Sequence, residues 1–289
     1  MSGGTVSNAW LKAIVGVVVV WTLLPIYWLL RLAVMAPSEA GAFPPKFWPN
    51  EFHPAAIYNI LGYEYTDSIG NVFPASGQSA QILQGLYNSL IVSVMVMLIT
   101  IVIIVPLAYA FARFDFKAKT PLLMAILFSV SVPPVSTLIP FYIMFSELSL
   151  TGTRTGLVLI NLTVTVPFVT WMLIGYFRNL PPIERLARID GFGRFATLIR
   201  IVIPMAKSGI AVAAVVSFLF AWNEFVFATA LVNGTSAATL PTSVSGLMFL
   251  QPQPGQLAAS LFLSLIPAGL IAYFLQRHIA DLGFVDVIR

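Results

Sequence analysis

Six apolar runs, at about 12–34, 86–111, 121–146, 156–177, 208–232 and 257–277, are each roughly 20 residues or longer, the length a helix needs to cross a bilayer's hydrocarbon. A chain with six such runs has few alternatives. In hydrocarbon every backbone N–H and C=O must be satisfied within the segment or by its neighbours, so the spans are predicted as helices and the fold as all-α, a polytopic membrane protein. Composition agrees: 58% of residues are apolar and 9% charged, with a mean hydropathy of +0.91, against about 25% charged in a soluble domain. Prolines 106, 140, 167 and 267 fall inside these runs, where bends are expected.

Charge placement predicts the orientation. With the N-terminus inside, twelve of the fifteen Lys and Arg fall in cytoplasmic segments and only Arg31, Lys46 and Arg154 outside, so both termini are predicted cytoplasmic. The same distribution explains the net charge of +4 without nucleic acid. Residues 13–30 resemble a signal peptide's apolar core but lack a small-residue cleavage site, and are read as an uncleaved first span. Segment 35–85, broken by Pro44, Pro45, Pro49 and Pro54, is predicted as an extracytoplasmic loop with one short helix near His53 to Leu61. Segment 233–256 carries no charge and is read as a second outer loop, in which Gln251, Gln253 and Gln256 are either solvated or suited to hydroxyl groups.

Several functions are excluded. No phosphate-binding Gly-x-x-x-x-Gly-Lys loop occurs, so any ATP must be bound by another chain. There is no nucleophile elbow or zinc-type His-Glu pair, and an enzymatic role is not expected. Zero cysteines remove disulfides, and His53 and His278 are too far apart to suggest a metal site; both are expected at solvated or interfacial positions. No repeat relates the two halves, which argues against an inverted-repeat carrier.

Two segments remain as candidate sites. Residues 178–207 hold six of the fifteen basic residues, and apolar side chains at 183, 186, 189, 192, 195, 198, 199 and 202 have the spacing of one helical face. Glu184 with Arg188 and Asp190 with Arg194 stand at i,i+4, while Gly191 and Gly193 predict a bend between two short helices, with Asp190 capping the second. Such a face must dock, either on the membrane bundle or on another protein, unless it lies on anionic lipid as an interfacial helix. The second candidate is Glu224, the one acid well inside a predicted span, flanked by Trp222 and Asn223. At that depth it is read either as a carboxylate lining a solute path or as a structural group bonded to a neighbouring helix. The surrounding Phe218, Phe220, Phe225 and Phe227 are read as packing.

Ala187-Arg188-Ile189-Asp190-Gly191, followed thirteen residues later by Pro204, resembles the coupling loop of binding-protein-dependent ABC importer permeases. Tyr87-Asn88-Ser89-Leu90-Ile91, Ala108-Tyr109-Ala110-Phe111-Ala112-Arg113, Trp222-Asn223-Glu224-Phe225 and Thr239-Leu240-Pro241 are similar to the carbohydrate, maltose-type branch, so the likeness runs over about residues 85–280. It implies a type I ABC importer permease fold: one domain over 1–289, with the 35–85 outer loop, a core at 86–277 and a cytoplasmic coupling loop at 178–207. It also implies that Glu184, Arg185, Ala187, Arg188, Asp190 and Gly191 face an ATPase. The partners implied are a homologous permease, two ATPase subunits that bind ATP and Mg, an extracytoplasmic solute-binding protein and a small carbohydrate solute. This chain itself would hold no cofactor, in the cytoplasmic membrane of a bacterium or archaeon. The family's Glu-Ala-Ala falls here on Arg185-Leu186-Ala187, with Glu184 one position early, and Phe192 and the Gly283–Arg289 ending also depart from the pattern. Readings from other classes are a membrane scaffold that recruits a soluble partner and an ion-coupled carrier.

Overall fold

A computed structural model describes residues 8–249 and 253–280, and among these the chain is almost wholly helical. The helices are α1 (Asn8–Ala33), α2 (Pro37–Ala40), α3 (Ala55–Ile60), α4 (Ser79–Arg113), α5 (Lys119–Ser131), α6 (Pro134–Glu147), α7 (Arg154–Asn179), α8 (Glu184–Ile189), α9 (Arg194–Thr197), α10 (Ile203–Met205), α11 (Lys207–Trp222), α12 (Val226–Leu231), α13 (Leu240–Phe249) and α14 (Pro254–Ala280), with a π-helical stretch at Leu198–Val202. The described residues form two units: those before Gln84 together with Val244–Ile266, and Gln84–Ser243 together with those after Ile266.

Four helices, Trp10–Ala33, Ser79–Arg113, Arg154–Asn179 and Pro254–Phe274, are continuous and apolar enough to cross a membrane, and two bent pairs bring the crossings to as many as six. The predicted 121–146 span is one such pair: α5 and α6 meet at 97°. Pro133 and Pro134 cause the break, because neither has an N–H to donate and Val132, ahead of them, is forced to an extended ψ of 120°. The other pair bends by 82° between Arg194–Met205 and Lys207–Trp222. Here the π-helical stretch and Pro204 both loosen the regular ladder.

The predicted 208–232 span is not one helix. It stops at Trp222 and restarts as α12 at Val226, because the Glu224 carboxylate takes over as partner for the new helix's first N–H groups, from Phe227 (2.6 Å) and Ala228 (2.9 Å). The 233–256 segment, read as a polar loop, contains α13. Leu240, Val244 and Leu247 stand on one face of it and are all buried, a stripe hidden in the sequence by intervening Thr and Ser.

In the second unit α4 and α7 share two apolar clusters. One gathers Tyr109 and Phe111 of α4, Leu173 and Phe177 of α7, and Leu198 and Val202 of the π-helical stretch. The other joins Val92 and Val96 to Leu157, Ile160, Phe227 and Leu231. Thr100 and Thr165 face each other between the helices at 3.2 Å. Gly209 lets α11 close on α7: a Cβ there would sit 2.4 Å from the Tyr176 ring. Fully buried Asn88 ties three segments together, donating to the carbonyls of Ser236 (2.9 Å) and Ala238 (2.7 Å) while accepting from Arg154 Nε (2.8 Å).

In the first unit α3 forms within the expected 53–61 stretch, and a two-stranded antiparallel hairpin, β1 (Tyr65–Thr66) with β2 (Val72–Phe73), follows it. The hairpin turn is organised by Asp67, whose Oδ1 accepts from the N–H groups of Ile69 and Asn71. His53, expected at a solvated or interfacial position, is buried edge-on to the rings of Tyr65 and Phe73, which the hairpin brings to it. The His278 side chain lies outside the described residues.

Candidate functional site

The 178–207 loop is built around a Schellman ending. α8 runs for six residues, and Gly191 then turns the chain with φ +83°. The Phe192 N–H returns to the Ala187 carbonyl at 2.8 Å and the Gly191 N–H to the Arg188 carbonyl at 3.1 Å, the two bonds that define this motif. α9 then begins from Gly193 in a new direction. The bend between two short helices is therefore made by a left-handed glycine; a Cβ on Gly191 would meet nothing within 4 Å, so it is φ and not crowding that selects glycine.

Asp190, expected to cap the second helix, does not. It is the C-cap of α8, exposed, and the α9 N-terminus has no side-chain cap. Nor do the two i,i+4 ion pairs form among the described residues. Glu184 is drawn elsewhere, and Asp190 and Arg194 lie on either side of the turn and share no helix.

Glu184 Oε1 lies 3.1 Å from Arg113 Nε, close enough for an ion pair though not aligned as a hydrogen bond, and both side chains are largely buried. Arg113 Nη2 also donates to the carbonyls of Leu180 (2.7 Å) and Pro181 (3.1 Å), and the Tyr109 phenol reaches Glu184. The guanidinium of Arg194 stacks on the Phe114 ring at 5.2 Å. The end of α4 thus grips the loop at its start and at its second helix. The sequence marks Arg113 as a cytoplasmic cation and as the end of a stretch similar to the carbohydrate branch, and gives Phe114 no part; the signal was a cation closing an apolar helix, and nothing in the sequence names its partner.

The apolar residues counted as a single face are divided by this docking. Leu198 and Val202 are buried in the bundle, and Ala187 with them. Leu186, Ile189 and Phe195 are left 64%, 77% and 76% exposed. Arg185 and Arg188 stand exposed beside them. The loop is anchored to the bundle through its buried residues and leaves Leu186, Ile189 and Phe195, with Ile199 to a lesser degree, exposed beside cations.

Trp222, Asn223 and Glu224 occur together at the α11–α12 break. Trp222 is buried and stacks on Phe218 at 5.4 Å. Asn223 is exposed and its Nδ2 donates to the Leu219 carbonyl at 2.8 Å. Both carboxylate oxygens of Glu224 are engaged by α12. Replacing Glu224 by alanine is expected to fray α12 and to destabilise the fold by about 0.5–2 kcal/mol, the range for lost helix caps. Glu224→Gln, which keeps one acceptor, is expected to lose less; thermal unfolding in detergent distinguishes the two.

The family model of the binding-protein-dependent transport system inner membrane component matches residues 104–281, which include both bent pairs and the gripped loop. The chain belongs to this family. The permease is 34% identical over 196 residues to ORF1 of Streptomyces antibioticus, a match spanning 67% of this chain and 86% of that one. It is 26% identical over 262 residues to the sulfoquinovosyl glycerol transport system permease protein SmoH of Agrobacterium fabrum, covering 90% and 86%. Among solved structures it superposes on a bacterial ABC transporter involved in the import of the acidic polysaccharide alginate, with TM-score 0.73 over 96% of this chain and 99% of that one; at 17% identity this likeness speaks for the fold. The permease is therefore a multi-pass component of the inner membrane, similar to permeases of sugar ABC importers.

Proposed function

We propose that this permease forms the translocation path of an ATP-driven importer for a sugar or sugar derivative, together with a second, homologous permease. Two ATPase subunits, which bind ATP and Mg, dock on the 178–207 loop from the cytoplasm, and a solute-binding protein delivers solute from the other side. The N-terminus and the C-terminus face the cytoplasm in this reading, which the charge asymmetry supports. The observation that carries this reading is the exposed trio Leu186, Ile189 and Phe195 on a loop that Arg113 ties to the end of α4. The knobs, with exposed Arg185 and Arg188 on either side of buried Ala187, fit a protein cleft that carries acids; Glu184, bound to Arg113, acts by holding the helix in place. Asp190 and Gly191 set the turn that presents it.

The solute path runs beside the α11–α12 break. There Asn223 offers its side-chain oxygen, and Glu224 and Trp222 keep the break in shape.

Burying each of these side chains contributes about 1.5–3 kcal/mol, so Leu186→Asp or Ile189→Asp is expected to weaken ATPase association by more than about tenfold while leaving membrane insertion intact. Retention of the ATPase through purification, with hydrolysis stimulated by the solute-loaded binding protein, is the measurement. A scaffold would retain a soluble partner with no such stimulation, and an ion-coupled carrier would transport solute without the ATPase. Full retention by both variants would overturn the docking assignment.

A further inference from the structure

Four large aromatic side chains stand out from the segment that follows α2. Phe43, Phe47, Trp48 and Phe52 are 96%, 65%, 74% and 72% exposed. So much apolar surface within a short stretch of chain marks an interaction site.

The segment is held in a fixed shape. Glu39 of α2 closes it into a ring: its Oε1 lies 3.2 Å from Lys46 Nζ, and its Oε2 accepts from the Asn50 N–H at 3.2 Å, with Phe47 and Trp48 between the two. The ring is docked on α1. The Tyr27 hydroxyl donates to the Phe47 carbonyl, the Trp48 ring packs edge-on to Tyr27 at 5.5 Å, and the Phe47 ring packs edge-on to Trp28 at 5.9 Å. Trp28 is fixed in turn by the Arg31 guanidinium, 4.3 Å from the centre of its ring.

What covers the four rings follows from where α1 places them. Trp10–Ala33 is long and apolar enough to cross a membrane, and its apolar window buries nothing inside the chain. Trp10 and Trp28 stand eighteen residues apart on this helix, about 27 Å at 1.5 Å per residue, close to the roughly 30 Å of a hydrocarbon core. With Trp10 at one boundary of the hydrocarbon, Tyr27 and Trp28 mark the other. Trp and Tyr concentrate in that layer because their rings are apolar while the N–H and O–H are not. Phe47 and Trp48 are docked at the same level. Lys46 is already paired with Glu39, and Glu51 is exposed, so the segment has no spare positive charge for anionic lipid. Its attraction to the interface comes from the rings.

We propose that residues 43–52 form an interfacial anchor: Phe47 and Trp48, with Phe43 and Phe52 to either side, lie in the lipid headgroup layer at the Ala33 end of α1 and hold that helix at its depth and tilt. Anchors of this kind, more than the length of the apolar run, set how a spanning helix sits. The inference rests on α1 crossing the membrane and is independent of what the permease carries.

The full-length chain in phosphatidylcholine nanodiscs tests it by tryptophan quenching. Trp48→Phe keeps a ring against Tyr27, and subtracting its emission from that of the unaltered chain isolates Trp48. This emission is expected to fall more with lipids brominated on the upper part of the acyl chain than with lipids brominated near the chain end, and to fall little with iodide in the water. Adding phosphatidylglycerol should leave the pattern unchanged. Quenching by iodide with none from either bromolipid places Trp48 in water and overturns the proposal. Quenching by neither, as under a covering protein surface, overturns it as well, and so does bromolipid quenching that appears only with phosphatidylglycerol. Should Trp48→Phe not fold, a nitroxide on Phe43→Cys decides, since the chain has no other cysteine. Oxygen is expected to reach that label in preference to a water-soluble nickel chelate, and the reverse order overturns the anchor. Neither ATPase nor solute is present, so a failure here leaves the import reading untouched, and a failure of import leaves the anchor untouched.

Discussion

Gly191→Val is expected to abolish solute-stimulated ATP hydrolysis in the assembled complex while the variant still inserts in the membrane. Gly191 holds φ +83°, and a β-branched residue in that region costs on the order of 1–3 kcal/mol. The cap offers only two hydrogen bonds, Phe192 to Ala187 and Gly191 to Arg188, to hold the turn against that strain. With valine the turn opens, α8 changes direction relative to α9, and Leu186 and Ile189 no longer present one surface with Phe195. Gly191→Asn is the control. Asparagine tolerates the left-handed region, and since a Cβ meets nothing within 4 Å it should keep most of the activity. Equal activity in the valine and asparagine variants would show that the turn's conformation does not matter to coupling.

Arg113→Ala should have the next largest effect. It removes two hydrogen bonds to the carbonyls of Leu180 and Pro181 and the ion pair that balances Glu184, leaving a carboxylate that is 22% exposed beside the Tyr109 phenol. Stranding one partner of a fully buried pair costs about 3–5 kcal/mol; partial exposure here reduces the expected loss to about 2–3 kcal/mol, read as a lower unfolding temperature. Hydrolysis should become independent of solute, because the start of the loop then loses its hold on the end of α4 while Leu198 and Val202 stay packed. The double variant Arg113→Leu/Glu184→Leu is expected to regain part of the lost stability, since no charge is left unpaired, but not the coupling, since the carbonyls of Leu180 and Pro181 stay without their donor. A double variant no more stable than Arg113→Ala would show that the pair is not what anchors the loop.

The sequence by itself determined the all-α membrane fold, since runs such as 86–111 are too apolar for water and too long for any buried element but a spanning helix. It also determined that the 178–207 loop bends at Gly191, because a glycine closing a short amphipathic run is a local signal whose cause, left-handed φ, is local too. What the tertiary structure decided are the relations that hydropathy cannot encode. Residues 121–146 and 208–232 average out as apolar, so a window of that length does not register the break at Pro133 or the restart after Glu224. Glu184 sits four residues from Arg188, but a partner 71 positions away in sequence, Arg113, holds it, because packing of α4 on α7 brings that guanidinium into a partly dehydrated site where an ion pair is stronger than on an open helix face. The same packing divides the loop's apolar residues, burying Leu198 and Val202 and leaving Leu186, Ile189 and Phe195 outside. Periodicity shows that a face exists; only the fold decides which part of it is already covered, because burial belongs to the surface a residue meets and not to the residue.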